Sequence, residues 1–479
     1  MSTVEYNDLY CNPAAIPDLP PGMDNVFPGR FAHGYTGKPC NYREIADPEV
    51  LPYNGKYYAY VSGRQAYVSD DLINWEYCPI ETDTPLGYAP TVTCCKDNIY
   101  ISSSPWYGDM QPRILAAKHP LGPFHSLGTP VDCHGNAFGR EFLDPALFTD
   151  EDGRLYLYWG CAPFGGGIYA MEVDPDMPTR GIGEIVKVID YDGNNEWEHY
   201  GTHGEILDYG WDEGVHMYKH NGIYYLQYSA CGTRFPSYAL GVYMSKSPLG
   251  PFEKPATLMA RKCDGLVRGT GHGGMFTGPG GKPWQAYTIL RHRLHYFERL
   301  IGFDPVDFDE NGIPQVQISE TPRSIKHGST GWVNAAAWKH PQASSYMPNS
   351  GPILALDECI HTCWFPEADE QEPWLKVELG NALEVCAFRI IWAELNADSQ
   401  NNINSGPVKY RVNFYDKDGN MLDTVIDESG NERDLTVVFK HFPPVEANFV
   451  KLTILRGDNP MHYGVSDFSV FVKPRYILK

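Results

Sequence analysis

One unit recurs five times along the chain: a polar turn built on Asn, Asp or Gly, then a strand-forming run rich in Tyr and Trp. The copies are Asn54-Gly55-Lys56-Tyr57-Tyr58, Lys96-Asp97-Asn98-Ile99-Tyr100, Asp152-Gly153-Arg154-Leu155-Tyr156, Asn221-Gly222-Ile223-Tyr224-Tyr225 and Gly280-Gly281-Lys282-Pro283-Trp284. Asn-Gly and Asp-Gly supply the left-handed residues of a tight hairpin turn, and the aromatic residues after them favour strands. Counted from Asn54, Asp97, Asp152, Asn221 and Gly280, the intervals are 43, 55, 69 and 59 residues. Propeller blades repeat at roughly 40–50 residues, so these intervals fit blades with inserted loops. The pattern predicts an all-β chain that begins with a five-bladed β-propeller. A single large sandwich of hairpins is the alternative.

Smaller echoes agree. Ser69-Asp70-Asp71-Leu72-Ile73-Asn74-Trp75 reads as an outer strand, and His119-Pro120-Leu121-Gly122-Pro123-Phe124 and Ser247-Pro248-Leu249-Gly250-Pro251-Phe252 read as the ends of two blades. The repeat fades after Asp309-Glu310-Asn311-Gly312-Ile313-Pro314. Alternating strands then follow at Val385 to Ile391, Tyr410 to Tyr415, Thr436 to Phe439, Asn448 to Ile454 and Phe468 to Val472. We expect a propeller over residues 1–325 and a β-sandwich over 326–479.

The formal charge of −22 excludes a nucleic-acid partner, because phosphate binding needs clustered Lys and Arg. It also argues against an anionic membrane surface, and no run approaches a membrane span in length. The 12 Cys show no framework or metal-ligand spacing and read as reduced thiols. The first residues carry no basic region and no apolar run, so a cytoplasmic location is expected.

Carboxylates precede three of the turns in matching contexts. Asp47-Pro48 precedes the first, Asp144-Pro145 the third and Glu213-Gly214 the fourth. Equivalent positions in different blades face one axis, so the three acids are expected in one cavity. An Asp before Pro is by itself a turn former, and Asp174 and Asp304 are left to that role. Hydrolysis of a glycoside needs one protonated carboxyl and one ionised carboxylate, and a third acid can raise the proton donor's pKa. Before the fifth turn stands Gly271-His272-Gly273, which puts His272 where the other blades carry acids.

From about Asn41 to Pro314 these residues resemble glycoside hydrolase family 43, five-bladed propeller enzymes that act with inversion on arabinose- and xylose-containing polymers. The resemblance rests on Asp47-Pro48, Asp71-Leu72-Ile73-Asn74-Trp75, Ala89-Pro90, Asp144-Pro145, Glu213-Gly214, Gly271-His272-Gly273 and Glu298-Arg299. It implies Asp47 as general base, Asp144 as pKa modulator and Glu213 as general acid. It also implies Arg299 on the substrate's hydroxyls, Tyr88 among the substrate-contacting residues, and His272 beside one calcium ion on the axis, held mostly through water. No organic cofactor is implied, and the expected partner is an oligosaccharide. Tyr88-Ala89-Pro90-Thr91 and Glu213-Gly214-Val215 depart from the family's usual Trp-Ala-Pro-Asp and Glu-Gly-Pro, and so alter the pocket around the acids.

Ala343-Ser344-Ser345 and Trp374-Leu375-Lys376-Val377-Glu378-Leu379-Gly380 resemble a discoidin-like, factor 5/8 type C, galactose-binding domain. Such a domain either binds sugar or braces the enzyme. The expected activity is release of terminal α-L-arabinofuranosyl or β-D-xylosyl units. The alternatives are an exo-galactosidase or galactanase of the same fold, and a non-catalytic sugar-binding protein.

Overall fold

A computed structural model describes residues 6–17, 44–63, 65–84, 86–104, 112–138, 142–395, 406–457 and 461–474. The extreme N-terminus and Asn41, both used in the sequence reading, lie outside the described residues. Two compact units emerge, and no single cut in the chain separates them. One comprises Glu44–Leu290 and Arg299–Ile318. The other comprises Ser319 onward together with Arg291–Glu298 and the N-terminal segment.

The first unit holds five main antiparallel sheets in chain order, with a two-stranded ribbon, His199–Tyr200 and Ile206–Gly210, between the third and fourth. The first holds Glu49–Tyr53, Lys56–Val61, Gln65–Ser69 and Trp75–Tyr77; the second Tyr88–Cys95, Asn98–Ser104, Arg113–Ala117 and His125–Gly128. The third holds Ala146–Thr149, Leu155–Cys161, Gly167–Asp174, Met177–Gly181 and Val186–Ile189. The fourth holds Glu213–His220, Ile223–Ala230 and Ala239–Ser245; the fifth Met275–Thr277, Pro283–Leu290, Arg299–Phe308 and Pro314–Val316. All five repeated turns join the first and second strands of a sheet. Asn54-Gly55 and Asn221-Gly222 have positive φ at both residues, as the tight hairpin turn requires. The first strand of each sheet lies beside that of the next, and the fifth returns to the first, which closes a ring.

No single core fills this ring. Apolar side chains instead interleave between neighbouring sheets. Tyr58, Tyr60 and Ala66 meet Ile99, Ile101 and Leu115 between the first and second. Ile114 and Tyr100 meet Leu155, Leu157 and Trp159 between the second and third. Tyr156 and Tyr158 meet Val215, Leu226 and Tyr228 between the third and fourth. Each fully buried Leu or Ile contributes about 1.5–3 kcal/mol. Polar links reinforce the stack: the Tyr60 hydroxyl donates to the Pro120 carbonyl at 2.6 Å and the Tyr158 hydroxyl to the Pro248 carbonyl at 2.7 Å. The two blade-end motifs therefore receive a Tyr from the preceding sheet.

The segment Ser69–Trp75 differs from expectation. It is the turn between the third and fourth strands of the first sheet, because the Asp71 carboxylate accepts the Ile73 and Asn74 amides at 2.9 and 2.7 Å and Leu72 turns left-handed. Only Trp75 belongs to the outer strand.

The second unit is built on one large antiparallel sheet whose two longest strands are Trp374–Glu394, which extends well beyond the expected Val385 to Ile391, and Val437–Leu455, which absorbs two runs expected as separate. Its core gathers Trp364, Phe388, Trp392, Phe414 and Phe468. Arg389 is buried here, paired with Asp467 at 2.9 Å and donating to the Asn12 and Glu320 carbonyls at 2.7 Å. The segment around Leu9–Tyr10 is thereby held in this unit and pairs with Arg323–Ser324. Arg291 and Arg293 likewise donate to the Trp392 and Glu394 carbonyls. The described cysteines are free thiols.

Candidate active site

Just before or at the start of each inner strand the chain turns through one left-handed residue: Asp47, Ala89, Asp144, Gly214 and His272. For a residue with a Cβ this conformation costs about 1–2 kcal/mol, and a buried amide left unpaired there costs about as much again. A hydroxyl meets that amide in four of the five sheets. Asp47 N–H donates to Thr288 Oγ1 at 2.9 Å, Ala89 N–H to Ser62 Oγ at 3.1 Å, Asp144 N–H to Ser104 Oγ at 2.7 Å and His272 N–H to Ser229 Oγ at 2.7 Å. These hydroxyls stand at one register, eight residues beyond the turn residues Asn54, Lys96, Asn221 and Gly280.

In the third sheet that register holds Gly160, eight residues after Asp152. A Cβ there would fall 2.3 Å from the Gly167 carbonyl oxygen, so no side chain fits. The amide of Gly214 donates instead to Asp144 Oδ2 at 3.1 Å. The other oxygen of Asp144 accepts from the Ser104 hydroxyl at 2.6 Å. Asp144 thus holds the backbone beside Glu213. Ser104→Ala removes both of Ser104's bonds to Asp144 and is expected to lower stability by about 1–3 kcal/mol, read as a lower urea midpoint at unchanged slope.

The structure brings the sequence-predicted acids and His272 together. The His272 ring packs on Gly214, where a Cβ would lie 2.8 Å from Nδ1, and that nitrogen is 3.6 Å from Asp47 Oδ1. Asp47 receives the guanidinium of Arg299 through two bonds, at 2.8 and 2.9 Å, and the Ser62 hydroxyl. Burial pushes the Asp47 carboxyl up, but Arg299, His272 and Ser62 outweigh it and hold the pKa below the ordinary value. Asp47 is a carboxylate.

Glu213 has the opposite environment. Burial first, then the charge of Asp144, raises it to about 8, against the lowering pull of hydrogen bonds from the Trp211 indole and the Tyr238 hydroxyl. At neutral pH Glu213 carries a proton. Asp144 is also raised, by burial and by Asp47, with His272 and Ser104 opposing. One cluster of side chains therefore holds a protonated acid and an ionised base, with a third carboxyl that acts on both.

Arg299, expected on substrate hydroxyls, directs its guanidinium to Asp47 and Glu44, with Nη1 also 3.2 Å from Thr233 Oγ1. Tyr88 begins the first strand of the second sheet, near enough to Arg299 to add to the upward shift that, against burial, Asp47 and Glu44 give its guanidinium. The sequence reading missed Glu44, which is buried against Arg299 at 2.7 Å and raised to about 7 by burial. It also missed Trp211, Tyr238 and the ring of hydroxyls. Counting eight residues on from the first residue of each repeat would have found the four hydroxyls.

Calcium takes six to eight oxygens. Around His272, Asp47 is committed to Arg299 and Ser62, and Asp144 to Ser104 and Gly214, so the protein donors form no cage, and any ion at His272 keeps mostly water ligands. Among the described residues, the cluster with ligand atoms close enough to share an ion is Cys133, His134 and Glu184, elsewhere in the third sheet's periphery.

The profile of glycosyl hydrolases family 43 matches residues 36–314, and that of the F5/8 type C domain matches residues 340–465. A β-D-galactofuranosidase of Aspergillus niger is 28% identical over 324 residues, covering 60% of this chain and 87% of the relative. A xylosidase/arabinosidase of Butyrivibrio fibrisolvens is 32% identical over 151 residues, covering 29% of this chain and 25% of the relative. An arabinoxylan arabinofuranohydrolase of Bacillus subtilis is 27% identical over 266 residues, covering 43% and 48%. The solved structure of a thermostable family-43 glycoside hydrolase superposes with a TM-score of 0.52 at 24% identity, covering 67% of this chain and 99% of that one, which supports the propeller fold. With the match spanning more than half of its residues, this chain belongs to glycosyl hydrolases family 43 and is a glycoside hydrolase.

Proposed function

We propose that the enzyme releases terminal pentoses, α-L-arabinofuranosyl or β-D-xylosyl, from hemicellulose-derived oligosaccharides, with inversion. The observation that carries this reading is the opposed environments of Glu213 and Asp47. Glu213 protonates the glycosidic oxygen while Asp47 takes a proton from the attacking water, and the sugar leaves with its anomeric centre inverted. Asp144 keeps Glu213 protonated between turnovers by its negative charge. Relatives named for arabinofuranosyl and xylosyl substrates support the sugar class.

A second reading follows from the galactofuranosidase relative, which the alignment covers most fully among those above. A β-D-galactofuranosyl ring has the ring stereochemistry of α-L-arabinofuranose and adds one exocyclic carbon. A panel of 4-nitrophenyl α-L-arabinofuranoside, β-D-xyloside and β-D-galactofuranoside separates the readings by relative kcat/KM. Proton NMR of the first-formed sugar is expected to show the inverted anomer; the retained anomer overturns the roles given to Asp47 and Glu213.

The insertion between the third and fourth sheets supports an exo mode. Glu198 is buried, accepting from the Tyr228 hydroxyl at 2.6 Å, and Tyr200 packs edge-on against Phe235 at 4.7 Å. Glu198 and Tyr200 are thus packed rather than solvated, and we read their segment as the wall that closes one end of the pocket. Early digests of arabinoxylo-oligosaccharides are expected to contain free monosaccharide from the start; an excess of longer fragments rejects exo action. We also assign His272 a water-held calcium ion. Exhaustive chelation is then expected to lower activity or melting temperature, with calcium restoring both, and no change in either removes the ion.

A further inference from the structure

Phe164 is 62% exposed, an unusual place for a large aromatic ring. It lies in the loop between Leu155–Cys161 and Gly167–Asp174 and stacks on Trp211, ring centroids 5.1 Å apart and planes 30° apart. The stack is fixed from below. Ala162 and Asp212 exchange both backbone hydrogen bonds, at 3.0 and 2.9 Å, which ties the Phe164 loop to the segment before the fourth sheet. Side chains alternate along an extended segment. Asp212 accordingly points inward and is fully buried, while Trp211 and Glu213 share the other face. On that face the Trp211 indole N–H donates to Glu213 Oε2. Tyr209 also lies against Trp211, ring centroids 6.4 Å apart and planes 50° apart.

We propose that Phe164 and Trp211 form the binding platform for the leaving-group sugar, and that Trp211 is the positioning residue that aims Glu213 at the glycosidic oxygen. This rests on the glycosidase reading. The proton donor of an inverting enzyme sits on the leaving group's side of the bond, opposite the water that attacks. Whatever departs must therefore lie next to a side chain that touches Glu213; of the two that do, Tyr238 is fully buried, whereas Trp211 continues into the exposed Phe164 stack. The C–H face of a sugar ring is apolar and slightly positive, which suits the negative face of an aromatic ring. One pair thus divides two tasks: Phe164 holds the departing sugar, and Trp211 fixes the acid's rotamer for proton transfer.

Two variants test this in the full-length enzyme. Phe164→Ala is expected to raise KM for an arabinoxylo-oligosaccharide by about three- to tenfold, with kcat changed less than about twofold. Trp211→Phe keeps a ring for stacking but removes the N–H. Because that hydrogen bond lowers the Glu213 pKa, its loss is expected to move the basic limb of kcat/KM upward by at least about half a pH unit. A merely structural Trp211 leaves the limb in place. If wild type hydrolyses the oligosaccharide but neither KM nor the limb responds, the platform is rejected while the glycosidase reading stands. If wild type releases no sugar from any glycoside in the panel, the glycosidase reading itself is rejected.

Discussion

Asp47→Asn is expected to fold normally and to lose about 10²–10⁴-fold in kcat/KM, the contribution of a positioned general base. Asn tolerates the left-handed backbone that this position adopts at φ 55. Its amide oxygen still accepts from Ser62 or Arg299, so the site keeps its shape. What disappears is the negative charge that Arg299 stabilises and that the attacking water's proton needs. Circular-dichroism melting and steady-state kinetics on the same preparation separate the two effects. Activity within about tenfold of wild type moves the base elsewhere.

Glu213→Gln has a comparable effect, distinguished by its dependence on substrate and pH. An amide cannot deliver a proton to the glycosidic oxygen, so an oligosaccharide is expected to lose about 10²–10⁴-fold. A 4-nitrophenyl glycoside, whose leaving group departs as a stable anion, loses far less. In wild type Glu213 must be protonated and Asp47 ionised. Activity is therefore expected to fall as pH rises through about 8, the value set by burial and Asp144. In Glu213→Gln that basic limb disappears on the nitrophenyl substrate. A limb that persists unchanged in the variant belongs to another group.

The five turns and the three acids were readable from the chain because each is a local pattern: a turn pair with positive φ, or an acid at one place in a repeated unit. His272 was readable for the same reason, since it occupies the left-handed position of its sheet. Tyr238 and Glu44 were not, because their roles depend on contacts with residues far along the chain; Trp211, only two residues from Glu213, was missed because nothing local shows that its indole turns to the acid. Glu44 meets Arg299 across 255 positions, and Tyr238 reaches Glu213 across 25. Arg299 could be found but its immediate partner could not: a lone Arg near a sugar site suits a hydroxyl or a carboxylate equally. The extent of the second unit was hidden likewise, since nothing in Asn12 announces that Arg389, 377 positions away, will hold its carbonyl.

The hydroxyl ring has a consequence for how a repeat becomes a catalyst. Four sheets close their left-handed residue with a Ser or Thr, and a fifth such closure would make the axis pseudo-symmetric. The third sheet breaks that symmetry, because the crowding around Gly160 excludes a side chain. The vacant latch is filled from the neighbouring position by Asp144, which brings a negative charge to the amide next to Glu213. The group that raises the acid's pKa is thus also the group that completes the fold at that point. Because no side chain fits at Gly160, the symmetric closure is barred by backbone alone, and the acid stays coupled to the charge that keeps it protonated.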